Sequence, residues 1–294
     1  MKCSASTCLP NSAFPLSMLS ESSLPKSKLA YLEQTTDSPY CLLMLHGWMD
    51  NAASFIPVIH ELPNSHCIAL DFPGHGLSLH RQDYYHFVDY VDDVYVALNE
   101  LNLSKPVILI GHSLGALVAS CFAAAFPEQL SGLICIDGIG PLSLASHETS
   151  THLAKAIRQR QQLKPAKSFA ELDYVVALRA KTNAISTENS RLLVERATIQ
   201  REGLWYWRHD EKLKLSSPLR FSEEQAKQIC QAVVTPCLLL AANEYPLLKP
   251  DYIALRQQWF NNIQTQLLSG GHHLHMQNPH ATAQLLHDFI KTIV

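Results

Sequence analysis

One stretch late in the first half of the chain does most to limit its fold. Val107-Ile108-Leu109-Ile110 is a short apolar run without polar alternation, and Gly111-His112-Ser113-Leu114-Gly115 follows it directly. From Leu114 to Phe126 the composition is rich in alanine with apolar residues at helical spacing. This order predicts a strand buried on both faces, a turn too tight for side chains at its two glycines, and a helix that folds back over the strand.

The same rhythm recurs. Cys41 to Leu45, Cys67 to Leu70, Leu133 to Ile136, Cys237 to Ala241 and Ile263 to Leu268 are strand-like apolar runs. Ala52 to Leu62, Val88 to Leu101 and Ala281 to Val294 carry the helical period between them. Strands alternating with helices imply a mostly parallel sheet with helices on both faces, the α/β class. The rhythm lapses between residues 140 and 230, where Gln, Arg, Lys and Glu mix with Leu and Ala. That segment is expected to be an inserted, mainly helical cap, so that 28–139 and 231–294 form the core. Residues 1–27, rich in Ser and Pro, are expected to be a loose arm.

Composition narrows the partners. With 294 residues and 47% of them hydrophobic, the chain can bury a large core without staples. A net charge of -3 gives no field to attract nucleic acid or an anionic membrane, which leaves a small molecule as the expected partner. The eight cysteines form no CxxC pair and lie mostly in apolar runs. Reduced, buried thiols and a cytoplasmic location are expected, since no apolar run is long enough for a signal peptide or membrane span. A monomer or homodimer is the expected assembly.

Chemistry is concentrated at three places. A Gly-x-Ser-x-Gly turn between strand and helix pushes the Ser113 hydroxyl clear of the sheet and sets its surroundings at a helix start, where developing negative charge is favoured. The loop after Cys41 to Leu45 reads His46-Gly47-Trp48-Met49-Asp50, at the carboxyl end of a strand where ligands gather. Gly47 would let the backbone come close, so that the Trp48 and Leu114 N–H groups could face an oxyanion. For His46 a hydrogen-bonded structural role is preferred, with His46 and His112 both kept as candidates for the pocket wall. Near the end, His272, His273 and His275 cluster behind a strand. His272 is the expected base, because Gly271 precedes it and Pro279 opens the next helix at a fitting distance. A metal on this run is not expected, for it holds no carboxylate, cysteine or His-x-x-x-His pair. No cofactor is implied either.

His46-Gly47-Trp48, the stretch from Asp71 to Ser78, Gly111 to Gly115 and Gly271-His272 stand in the order seen in the α/β-hydrolase superfamily, which the chain resembles from about Lys28 to Val294. His46 to Phe55, Tyr84 to Tyr90 and Gly203 to Asp210 are similar to the serine hydrolase-like proteins within it. The resemblance implies an eight-stranded-type sheet, a capped hydrolase without a cofactor, and a Ser/His/acid triad. One feature departs from it. After the strand that follows the cap, Tyr245 stands where the family's acid is usual. Asp137, one strand past the nucleophile, is therefore the preferred acid, with Glu244 as competitor and Asp71 left to a structural turn.

The expected reaction is hydrolysis of a small acyl ester by Ser113 and His272 through an acyl-enzyme. Thioesters, lactones or a carbon–carbon bond could be cleaved at the same site, and a small-molecule binding protein on a hydrolase fold is the alternative from another class. In the cap, Trp205 and Trp207 are candidates for a pocket wall, against the preferred use of packing the cap itself.

Overall fold

A computed structural model describes residues 19–244 and 250–294. Its centre is an eight-stranded sheet in the spatial order β1-β2-β4-β3-β5-β6-β10-β11. These strands are β1 (Ser20–Ser23), β2 (Ala30–Gln34), β3 (Cys41–Leu45), β4 (His66–Leu70), β5 (Val107–His112), β6 (Gly132–Ile136), β10 (Cys237–Ala242) and β11 (Ile263–Leu268). Only the β1–β2 and β2–β4 pairs are antiparallel. All other neighbours run parallel, as the unbroken apolar runs imply.

Side-chain alternation divides each strand between two cores. Leu43, Leu109 and Cys135 point to one face with Phe122 and Val118, while Leu42, Met44, Ile108 and Ile134 point to the other with Phe55 and Phe289. Each such aliphatic side chain, fully withdrawn from water, contributes about 1.5–3 kcal/mol. Covering helices are α1 (Ile56–His60), α2 (Phe87–Leu101), α3 (Leu114–Ala125), and, late in the chain, α8 (Pro250–Gln257), α9 (Leu274–Gln277) and α10 (Pro279–Ile290). The six described cysteines are free and buried. Among the described residues no helix is long and apolar enough to cross a membrane.

Between β6 and β10 the chain forms α4 (Thr149–Arg160), α5 (Leu172–Asn183), α6 (Thr187–Ala197) and α7 (Glu223–Ala232), with three short strands, β7 (Ser168–Phe169), β8 (Thr198–Arg201) and β9 (Leu204–Trp207). The small β7-β9-β8 sheet was not foreseen from the sequence. Its β8–β9 hairpin turns on Glu202 and Gly203, both at positive φ, the geometry that matches the twist of a two-residue hairpin. Helix α7 packs on α3, and its Ala226 and Cys230 belong to the main core.

Of the expected loose arm over residues 1–27, residues 1–18 lie outside the described residues, and the remainder pairs with the sheet. Ser20–Ser23 form the edge strand β1 against Ala30 to Glu33, and the Glu21 carboxylate lies 2.6 Å from Arg196 of α6. Polar SESS carries no hydrophobic signal, because an edge strand exposed on its length gains its place from main-chain pairing alone.

Candidate active site

In a sheet ordered this way, β3 is flanked by β4 and β5, so chain paths diverge on either side and leave a crevice at the carboxyl ends of the strands. Leu45 of β3 stands beside Gly111 of β5, and His112 beside Ile136 of β6. Register therefore brings the loop after β3, the turn after β5 and the first residue after β6 to one edge.

Ser113 sits in that turn at φ 51° and ψ -116°, a conformation that L-residues avoid at a cost of about 1–3 kcal/mol. Its N–H donates to Ile136 O at 3.0 Å, which ties the turn to the neighbouring strand. Neither flanking glycine can be replaced: a Cβ on Gly111 would lie 2.3 Å from the Gly115 backbone, and one on Gly115 would lie 2.1 Å from Leu45 O.

The Ser113 hydroxyl lies 2.9 Å from His272 Nε2, and His272 Nδ1 lies 2.5 Å from Asp137 Oδ2. A carboxylate can only accept, so Nδ1 carries the proton and Nε2 is free to accept from the serine. Asp137 is buried and fixed independently of the histidine. Its Oδ1 accepts the Ala242 N–H at 3.2 Å, and its own N–H donates to Leu240 O at 2.8 Å. Asp137 is thus brought to the site, whereas Glu244 is not. The Glu244 carboxylate accepts from Ser269 Oγ at 2.6 Å, on the exposed side of the loop. Tyr245 lies outside the described residues.

A cavity of about 1420 Å³ opens over Ser113. Trp48, Leu114 and His272 line it with Ser113, and its walls are largely apolar, among them Phe87, Leu117, Leu142, Leu144, Leu213 and Phe221. Leu114 is the first residue of α3, so its N–H is among the donors a helix leaves without an internal acceptor. Four wall candidates do not belong there. His46 is buried, its Nε2 accepting the Phe72 N–H at 3.0 Å, and it packs edge-on against Phe72 and His75. His112 lies beneath the site and donates through Nε2 to His272 O at 2.8 Å. Trp205 pairs across the small sheet with Phe169 and Gln200, and Trp207 packs on Phe169 and His209. The aromatic run therefore packs the small sheet rather than lining the cavity.

Sequence reasoning missed the group under the base. Asp50 is buried, with Oδ2 3.2 Å from His273 Nε2 and 3.6 Å from His112 Nδ1, and Oδ1 2.5 Å from the Arg179 guanidinium of α5. Burial pushes the Asp50 carboxyl up, but His273, Arg179 and His112 outweigh it and hold it well below the ordinary carboxylate range. Burial and the surrounding imidazoles lower His112 well below the usual histidine value and His275 to about 3. Metal-ligating side chains do converge, but as Asp50, His112 and His273 rather than as the 272–275 run, and the Arg179 charge already balances the carboxylate there. The partners come from residues 50, 112, 179 and 273, and such separations leave no local signal.

A family model described as alpha/beta hydrolase fold matches residues 40–279. The chain belongs to that family. It is 31% identical over 266 residues to a "Serine hydrolase-like protein" of Danio rerio, covering 85% of this chain and 81% of that one. A "Probable serine hydrolase" of Drosophila melanogaster is 28% identical, with 94% and 91% covered. Among solved structures, the hypothetical protein PA1622 of Pseudomonas aeruginosa PAO1 superposes with a TM-score of 0.84 at 32% identity, covering 94% of this chain and 98% of that one. In this hydrolase fold the crevice beside β3 and β5 holds Ser113, His272 and Asp137, the imidazole within hydrogen-bonding distance of both the others.

Proposed function

We propose that the protein is a serine hydrolase that cleaves a small acyl ester through an acyl-enzyme. The observation that carries this reading is the Ser113–His272–Asp137 chain, with contacts of 2.9 and 2.5 Å opening on an apolar cavity. Ser113 Oγ attacks the carbonyl carbon as His272 Nε2 takes its proton, and the Asp137 carboxylate steadies the imidazolium. The negative charge that gathers on the carbonyl oxygen is met by the main-chain N–H groups of Trp48 and Leu114, each worth about 3 kcal/mol in such a site. His272 then gives its proton to the departing alkoxide. Water repeats the sequence on the acyl-enzyme and frees Ser113. No step calls for a metal or organic cofactor. A cytoplasmic chain acting on a diffusible acyl compound fits this chemistry.

A fluorophosphonate probe tests the reading, because it labels only an activated hydroxyl. Labelling of the wild type that vanishes in Ser113→Ala, together with loss of p-nitrophenyl ester hydrolysis over graded chain lengths, is expected. An unlabelled wild type that nonetheless binds small acyl compounds would favour a binding protein on the hydrolase fold instead.

A further inference from the structure

Four consecutive residues of the loop after β3 are held by the inserted cap. The Trp48 indole Nε1 donates to Leu213 O at 3.0 Å. Met49 O accepts from Arg179 at 2.9 Å, and the same guanidinium lies 2.5 Å from Asp50 Oδ1. Asn51 Nδ2 donates to Leu193 O of α6 at 2.9 Å. Asp50 also reaches the opposite side of the site, through His273 Nε2 at 3.2 Å. Asn183, the last residue of α5, approaches that imidazole at 3.3 Å. His112, facing Asp50 from below, donates to the main-chain carbonyl of His272 itself.

We propose that Asp50 and Arg179 are positioning residues that make the site competent only when the cap is seated: α5 fixes, through one ion pair to the buried Asp50 carboxylate, both the loop that carries the Trp48 N–H and the turn that carries His272. This rests on the serine hydrolase reading and adds its regulation. The reasoning is electrostatic and geometric. Met49 holds φ 62°, a conformation with few stable alternatives for a residue with a side chain, and its carbonyl is clamped by Arg179, which fixes the two peptide planes that meet at Met49; the Gly47 carbonyl, in the plane that carries the Trp48 N–H, accepts the Asp50 N–H at 3.0 Å. With Arg179 withdrawn, a buried carboxylate would lose its full counter-charge and would have to draw on His273 and His112, moving the His272 main chain. A second ion pair supplies the contrast. Arg196 of α6 also bridges cap and core, to the buried Asp71, which accepts the Ala52 N–H past the end of that loop at 2.7 Å, but neither residue touches Trp48 to Asn51 or the histidine turn.

The experiment compares Arg179→Gln, Arg179→Lys, Asp50→Asn, Arg179→Gln/Asp50→Asn and Arg196→Gln in the full chain, with p-nitrophenyl acetate, a substrate too small to need the cap walls. Thermal midpoints are read alongside kcat, KM and the rate of fluorophosphonate labelling. Arg179→Gln is expected to lower kcat and the labelling rate about tenfold or more with KM within twofold. Arg179→Lys should restore part of the loss. The double variant should be no slower than the slower single one, since both act through one contact. Arg196→Gln should lose comparable thermal stability with kcat within twofold of wild type. Equal kcat losses in Arg179→Gln and Arg196→Gln, or a loss confined to KM, or additive losses in the double variant would overturn the proposal while leaving the hydrolase reading intact. An unlabelled wild type would remove the hydrolase reading, and this one with it. If Arg179→Gln does not fold, Arg179→Lys against Arg196→Lys decides between the same outcomes.

Discussion

Replacing Asp137 by Asn should all but stop turnover, and the structure says through which atoms. Asp137 Oδ1 accepts the Ala242 N–H, so in the variant the amide oxygen keeps that place and the NH₂ group takes the place of Oδ2, facing His272 Nδ1. An NH₂ donates where the carboxylate accepted. Nδ1 must then present its lone pair, the ring proton moves to Nε2, and Nε2 can no longer accept the Ser113 proton at 2.9 Å. Reversal of the tautomer in a triad of this kind lowers kcat by about 10⁴-fold, and removing the acid's charge alone costs of the same order. Converted at 1.36 kcal/mol per decade, that is about 5 kcal/mol of transition-state stabilisation. Initial rates of p-nitrophenyl butyrate hydrolysis by wild type, Asp137→Asn and Glu244→Gln provide the assay, with circular dichroism to establish the fold. Glu244→Gln should keep kcat within about threefold, since its carboxylate is engaged by Ser269. Activity in Asp137→Asn within a factor of ten of wild type, or a collapse in Glu244→Gln instead, would refute the assignment of the acid.

Two further outcomes follow from burial and backbone. Burial lowers His46, His75, His112 and His275, the last to about 3, so the unfolded chain takes up protons below about pH 6.5 that the fold refuses, and stability present above that pH drains as it falls. Asp93, raised by burial to about 6 despite Arg81, works with opposite sign and cancels one of these protons. His209, lowered to about 4 by burial, adds to the histidine side, so the urea midpoint is expected to fall between pH 7 and pH 5; an unchanged midpoint would refute it. Ser113→Gly should abolish hydrolysis yet raise the thermal midpoint by about 2–4 °C, because glycine tolerates φ 51° where serine does not, and a lower midpoint would show that the turn carries no strain.

The strands and the site's three anchors were legible in the sequence because each rests on local evidence. Val107–Ile110, Leu133–Ile136 and Cys237–Ala241 announce themselves as apolar runs, and glycines 111 and 115 mark the only turn tight enough to expel Ser113. Asp137 was reachable because it follows such a run directly. β11 was a fainter case: the structure leaves most of Ile263–Leu268 exposed, so its composition is only half apolar. What depended on distant partners could not be read. β1 is held by main-chain pairing, the cap's small sheet by a hairpin without a strong apolar signal, and Asp50 by partners 62, 129 and 223 residues away. For Trp205 and Trp207 the sequence left a wall role open beside the preferred packing role, because aromatic side chains serve an interior and a binding surface equally well.

The histidine that completes the chain of contacts hangs from β11, the outermost strand, paired on one side only. Ser113, by contrast, stands at the end of β5, which is paired on both sides, so loosening at this margin alone would part imidazole from hydroxyl by moving one of them and leaving the other in place.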